Sequence, residues 1–329
     1  MKATAVSPAK VILFGEHFVV SGNSAISMTI DLPTTITVEP LKVDEIQIRS
    51  EGLDVEAAFS TTGQIIRSAG ANAESKLRPI YEVADFTLKK LKQAKVGLKI
   101  AVKSRVPIGM GLGSSAATAV GTVSALTTLL GWPLSREEIF DAAYTLEKMV
   151  HGHPSGVDQA TITYGGLISY RGGKVEATLQ LTQPPLLIIG NTGKRRSTGE
   201  FVGRVTRLRE TEPKVYGRIA SEAQEISERA LDALRNGQSH ALGSLMNENQ
   251  RLLESVGVSS PDLERLISAV RSAGAFGAKL TGGGGGGCMI AAVDKTTHAG
   301  VSRAIEEAGG QVLPSVFVPH GVQTALHED

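Results

Sequence analysis

The sequence predicts an α+β chain in two domains, on three observations. With 329 residues the chain is longer than one hydrophobic core ordinarily serves. Its first half strings short apolar and alternating runs ahead of a glycine-rich loop that opens into a helix-forming stretch. Its second half sets long helical patterns beside short strands, and helices layered on a small antiparallel sheet are the natural way to bury such faces. Pro184-Pro185 marks the division, giving expected domains over 1–183 and 184–329.

Charge and composition narrow the class. Apolar residues make up 41% and charged residues 20%, the balance of a globular chain able to fill both cores. A net charge of +1 leaves no electrostatic footprint for a nucleic-acid backbone, and one Trp, five Tyr and eight Phe leave little for base stacking. Cys288 is the sole cysteine, which excludes an intramolecular disulfide and fits a reducing compartment. No apolar run is long enough to span a bilayer and the first residues lack a signal-peptide stretch. The expectation is a cytoplasmic protein that binds neither membrane nor nucleic acid.

In chain order, Lys10 to Phe14 reads as a buried strand ending at Gly15-Glu16-His17. Strands are expected at Ile36 to Val38 and Glu45 to Ile48, a helical pattern between about Ile65 and Lys95, and an alternating strand from Val96 to Val102. Gly131-Trp-Pro133 ends the first helix behind the glycine loop. Ser135 and Glu138 then have the spacing of a capping box, with Ile139, Ala143, Leu146 and Val150 as the buried stripe. Gly165-Gly166 and Gly172-Gly173 bracket a hairpin of Leu167 to Tyr170 with Val175 to Leu179. Leu186 to Ile189 opens the second half. Helices follow over Thr198 to Arg209, Pro213 to Arg235, Ser239 to Ser255 and Pro261 to Ala273, the last capped by Ser260. Strands at Ala278 to Thr281, Cys288 to Val293 and Val312 to Val318 complete it, with a helix from Thr296 to Ala308.

The stretch with the most chemistry is Pro107-Ile-Gly-Met-Gly-Leu-Gly-Ser-Ser-Ala-Ala117. A helix start carries unpaired N–H groups and partial positive charge, which suits a phosphate. Gly109, Gly111 and Gly113 permit positive φ and remove the Cβ atoms that would hold a phosphate off the backbone. The spacing fits neither the Walker pattern nor the dinucleotide fingerprint, and glycines also mark ordinary turns, so the loop alone does not decide. Glu147 sits beside the buried stripe of its helix and needs a partner, a surface ion pair being the plain alternative. Gly282 to Gly287 is a run kept for close backbone approach, to a ligand or to the facing domain.

Taken together, Pro8-Ala-Lys-Val-Ile-Leu-Phe-Gly-Glu-His17, the loop at 107–117 and Lys279-Leu-Thr-Gly-Gly-Gly-Gly-Gly-Gly-Cys288 resemble the three motifs of the GHMP small-molecule kinases. Within them, Glu147-Lys-Met-Val-His-Gly-His-Pro-Ser-Gly-Val-Asp158, Gly15-Glu16-His17, and Asn191-Thr192 followed by Arg196 and Thr198 resemble the mevalonate kinases, the shorter archaeal type above all. One departure is Gly283, where the family usually has Ala.

The resemblance implies an N-terminal domain with a left-handed crossover and a ferredoxin-like C-terminal domain, with ATP and mevalonate as substrates, Mg²⁺ as cofactor and a possible homodimer. It implies Asp158 and Lys10 as catalytic residues and Pro107, Gly109, Gly111, Leu112, Gly113, Ser114, Ser115 and Ala116 as the ATP cradle. Ser115 and Glu147 match the metal positions, and Glu16, His17, Ser155, Arg196, Thr198 and Gly283 the substrate pocket. Phosphomevalonate, homoserine and sugar kinases share the cradle, and a non-catalytic nucleotide sensor would keep it while losing Asp158, Lys10 or Glu147.

Overall fold

The computed structural model of the chain describes residues 1–93, 96–151, 154–181, 183–194 and 198–328, apart from the side chains of Val150, His151 and Thr198. Its first half builds β1 (Lys2–Phe14), β2 (Ala25–Leu41), β3 (Glu45–Ser50), β4 (Val55–Ser60), β5 (Ile65–Ala69), α1 (Ala73–Lys90) and β6 (Gly97–Ser104). The helices α2 (Ser114–Leu129), α3 (Arg136–His151) and α4 (Val157–Tyr164) follow, then the hairpin β7 (Leu167–Arg171) and β8 (Lys174–Leu179). The second half runs β9 (Leu187–Asn191), α5 (Thr198–Thr211), α6 (Pro213–Arg235), α7 (Ser239–Ser255), α8 (Pro261–Ser272), β10 (Gly277–Leu280), β11 (Cys288–Ala292), α9 (His298–Glu307), β12 (Gln311–Leu313) and β13 (Gln323–His327).

Among the described residues two sheets form. The larger has the order β13-β1-β2-β6-β3-β4-β5, with β7 on β2 and β8 on β7; the smaller is β10-β11-β9-β12. In the smaller sheet every pair is antiparallel, and the order second-third-first-fourth is that of a ferredoxin-like domain. The chain does not stay in its second unit to the end. β13 pairs antiparallel with Lys2 to Val6 of β1, so the last strand of the expected 184–329 domain lies in the first sheet.

Alternation along β1 sets up everything that follows. Ala9, Val11 and Leu13 face a core shared with Leu187, Ile188 and Ile189 of β9, while Ile12 joins Val157 and Ala160 of α4 on the opposite side. Lys10, in phase with Ile12, is therefore turned toward α4.

Several local signals are met in the structure. Ser135 N donates to Glu138 Oε2 at 2.8 Å and Glu138 N to Ser135 Oγ at 3.3 Å, a reciprocal capping box that holds the Glu138 carboxyl below the usual carboxylate range. Ser260 Oγ accepts from Leu263 N at 3.4 Å at the start of α8, and Gly172 and Gly173 turn the β7–β8 hairpin at positive φ. Elsewhere the structure differs. The helix expected from Ile65 starts at Ala73, because Ile65–Ala69 is an exposed edge strand on β4. β2 is far longer than the Ile36 to Val38 core of its pattern, since Asp31 and Pro33 interrupt the apolar run without ending the strand.

Candidate active site

Gly109, Gly111 and Gly113 have φ of 77°, 82° and 82°, and Gly113 caps α2 without any side-chain cap. No side chain caps the first turn of α2 at Ser114, Ser115 and Ala116, and no acidic residue stands among them. Leu112 is buried and anchors the loop in the core, its carbonyl accepting from Lys10 N at 3.1 Å. A Cβ on Gly113 would stand 3.0 Å from Lys10 Cγ and 3.1 Å from Ile162 Cδ1, so the loop rests directly on the lysine stem and on α4.

Lys10 is 1% exposed, its Nζ 2.7 Å from Asp158 Oδ1 and donating to Gly111 O at 3.1 Å. The Asp158 side chain is 37% exposed, so the pair presents its acidic half to the open side. Asp158 sits in the first turn of α4 behind Gly156 at φ 83°, where a Cβ would meet the Tyr170 hydroxyl at 2.4 Å. That hydroxyl donates to Ser155 O at 2.8 Å, and Tyr144 donates to Pro154 O at 3.2 Å, so two tyrosines fix the approach to Asp158. Burial pushes the Tyr170 hydroxyl well above its ordinary value, which keeps it a donor.

Glu16, expected in the substrate pocket, is 2% exposed and ion-paired with the fully buried Lys279, while Asn249 Nδ2 donates to its Oε2 at 3.4 Å. Burial pushes the Lys279 ammonium down, and the Glu16 carboxylate opposes that shift. Next to Glu16, His17 Nε2 lies 3.1 Å from Gly283 O; a carbonyl only accepts, so Nε2 carries the hydrogen.

From Gly284 onward the glycine run approaches protein closely. A Cβ on Gly284 would meet Val258 O at 2.0 Å, one on Gly285 Phe201 Cε2 at 2.0 Å, and one on Gly287 Met110 O at 2.7 Å. The last contact brings the run against the glycine loop at 107–117. Gly287 N donates to Lys194 O at 3.0 Å and Thr192 N to Gly287 O at 2.9 Å, tying the segment ahead of α5 to the same place. Arg196 lies outside the described residues; Thr198 opens α5, its side chain also outside the description.

Ser115 is exposed at the second position of α2, and Glu147 is half-buried on α3, which packs against α2. Among the described residues no three His, Cys, Asp or Glu side chains gather as a metal cluster. One hydroxyl and one carboxylate still fit a hard cation that takes its other ligands from phosphate and water. Sequence reading missed Tyr144, Tyr170, Asn249 and Lys279. Only Lys279 left a signal, as the residue that opens the third motif, and its pairing with Glu16 did not show there.

Residues 78–166 match the GHMP kinases N terminal domain and residues 230–311 the GHMP kinases C terminal domain. The Pyrococcus furiosus mevalonate kinase is 38% identical over 331 residues, 98% of each chain. This chain belongs to the mevalonate kinase family. The Methanococcus jannaschii mevalonate kinase crystal structure superposes at a TM-score of 0.83 with 30% identity, covering 96% of this chain and 98% of that one. A crystal structure of L. major mevalonate kinase in complex with R-mevalonate superposes at 0.79 with 29% identity, covering 96% of each. Against the mevalonate kinase pattern, Gly283 replaces the usual Ala at a position that is not at positive φ, unlike Gly282 and Gly284, so either residue suits the backbone.

Proposed function

We propose that the chain transfers the γ-phosphoryl group of ATP to the 5-hydroxyl of (R)-mevalonate, giving 5-phosphomevalonate and ADP. The observation that carries this reading is Lys10, a buried cation joined both to Asp158 and to the glycine loop through Gly111. The R-mevalonate held by the L. major relative supports the choice of alcohol.

Phosphoryl transfer asks for position and charge compensation more than covalent chemistry. The amides opening α2 hold the β- and γ-phosphates, with Pro107, Gly109, Gly111, Leu112 and Gly113 shaping the cradle. Asp158 orients the alcohol. A carboxylate is too weak a base to strip an alcohol in the ground state, so the proton passes to it late, as the new O–P bond forms and the bond to the β,γ-bridging oxygen breaks. Lys10 offsets the negative charge that then gathers between Asp158 and the transferring group.

Ser115 and Glu147 are the residues that would hold Mg²⁺, which when bound neutralises phosphate charge. His17, Ser155, Thr198 and Gly283 line the alcohol side, and Arg196 grips the substrate carboxylate through both oxygens. The test is ADP release with mevalonate, phosphomevalonate, homoserine and galactose in parallel, with the product located by phosphorus NMR. Turnover on mevalonate alone, with a new ester at the 5-carbon, is expected; faster turnover on another alcohol overturns the reading.

A further inference from the structure

β1 is paired unequally along its two edges. One edge is covered by β2 from Ala3 to Phe14, whereas β13 covers the other only from Lys2 to Val6. Beyond Val6 that second edge still offers the backbone groups of Lys10 and Ile12, which alternate onto the same side. Buried backbone groups need partners. Lys10 N finds Leu112 O at 3.1 Å in the phosphate loop. Ile12 finds a side chain: its N–H donates to Thr281 Oγ1 at 2.9 Å, and the same hydroxyl donates to Ile12 O at 2.9 Å.

One hydroxyl thus stands in for the missing strand. Thr281 is itself fully buried just past β10, with its N–H donating to Cys288 O at 3.1 Å across the root of the glycine run. The bond therefore ties the C-terminal sheet to the strand that carries Lys10, two residues away on the same edge.

We propose that Thr281 is a positioning residue for phosphoryl transfer: its hydroxyl fixes β1 at Ile12 and thereby sets the placement of Lys10 against Asp158. This rests on the mevalonate kinase reading above. Without the hydroxyl, the edge of β1 around Lys10 is held on that side by the phosphate loop, which has its own ligand to hold. A displacement on the order of 1 Å at a catalytic group costs about 100-fold in rate.

The experiment compares wild type, Thr281→Val, Thr281→Ser, Lys10→Met and the Lys10→Met/Thr281→Val double variant, with ATP and mevalonate. Thr281→Val, which keeps the shape and removes the hydroxyl, is expected to lower kcat about 10- to 100-fold with both KM values within about threefold of wild type. Thr281→Ser, which keeps the hydroxyl and loses the methyl, is expected to retain kcat within about twofold. In the Lys10→Met background, Thr281→Val is expected to cost less than about twofold, because the lysine through which it acts is gone. A merely structural role lowers the melting temperature and costs the same factor in both backgrounds, and that overturns the proposal. So does a folded Thr281→Ser enzyme with kcat down tenfold, an outcome readable even if Thr281→Val does not fold. A wild-type enzyme that turns over ATP without regard to mevalonate overturns the functional reading itself, a result distinct from either.

Discussion

The ammonium of Lys10 lies 2.7 Å from Asp158 Oδ1 and donates at the same time to the Gly111 carbonyl, so one buried cation joins the acidic group to the phosphate loop. The two ends of the reaction are thereby registered to each other before either substrate arrives. A change at the lysine should act on turnover more than on folding.

Lys10→Met keeps the stem that packs under Gly113 and removes the charge. We expect kcat to fall by about 100-fold or more, the size of effect seen when one electrostatic stabiliser is lost. Far-UV circular dichroism should stay unchanged. A variant with near-normal kcat would mean that the lysine only fills space.

Gly113→Ala and Gly131→Ala form a matched pair. Both glycines have positive φ, 82° and 76°, so alanine costs each about 1–2 kcal/mol of backbone strain. At Gly131 the new Cβ meets nothing within 4 Å, whereas at Gly113 it meets Lys10 Cγ at 3.0 Å. Urea denaturation should show a loss for both, at least as large at Gly113, and kinetics should show a fall in kcat for Gly113→Ala alone.

Glu16→Gln leaves the fully buried Lys279 cation without its counter-charge. Breaking a buried pair from one side costs about 3–5 kcal/mol, while replacing both partners by apolar groups is often near neutral. Glu16→Leu/Lys279→Met should therefore be more stable than Glu16→Gln in urea denaturation. Equal losses in the two variants would show that the unpaired charge is not what destabilises Glu16→Gln.

Asp294 gathers Thr296 and Thr297 ahead of α9. The Thr296 hydroxyl at 2.6 Å and the Thr297 amide at 2.9 Å hold its carboxyl at about 2. A depressed carboxylate contributes stability above its unfolded value of about 3.9 and loses it as pH falls through the folded value. Asp294→Ala should melt below wild type at pH 7, with the gap narrowing below about pH 4 and closing near pH 2. A gap independent of pH would assign the loss to packing.

Much of the frame was legible because its signals are local. The reciprocal bonds of Ser135 and Glu138, the turn at Gly172-Gly173 and the bounds of α6 and α7 depend on residues a few positions apart. The glycine loop and Asp158 were legible through their motifs, though not that Lys10 would bind both. What failed to show was long-range or featureless. β13 is a polar, exposed edge strand with no apolar alternation, and β5 is exposed throughout, so neither writes a period into the sequence. Glu16 and Lys279 are 263 residues apart, and no spacing rule joins them. Thr281 is the third letter of the motif that opens at Lys279, and nothing in that motif tells of the two bonds its hydroxyl makes to the uncovered edge of β1 at Ile12.

Asp158, in the first turn of α4, is the proton acceptor of the proposed transfer. Asp158→Asn keeps the shape and removes the proton acceptor, so ADP release driven by mevalonate should drop by about 10²- to 10⁴-fold while ATP binding, read by fluorescence or calorimetry, stays as in wild type. An asparagine variant that phosphorylates mevalonate at the wild-type rate would contradict that role.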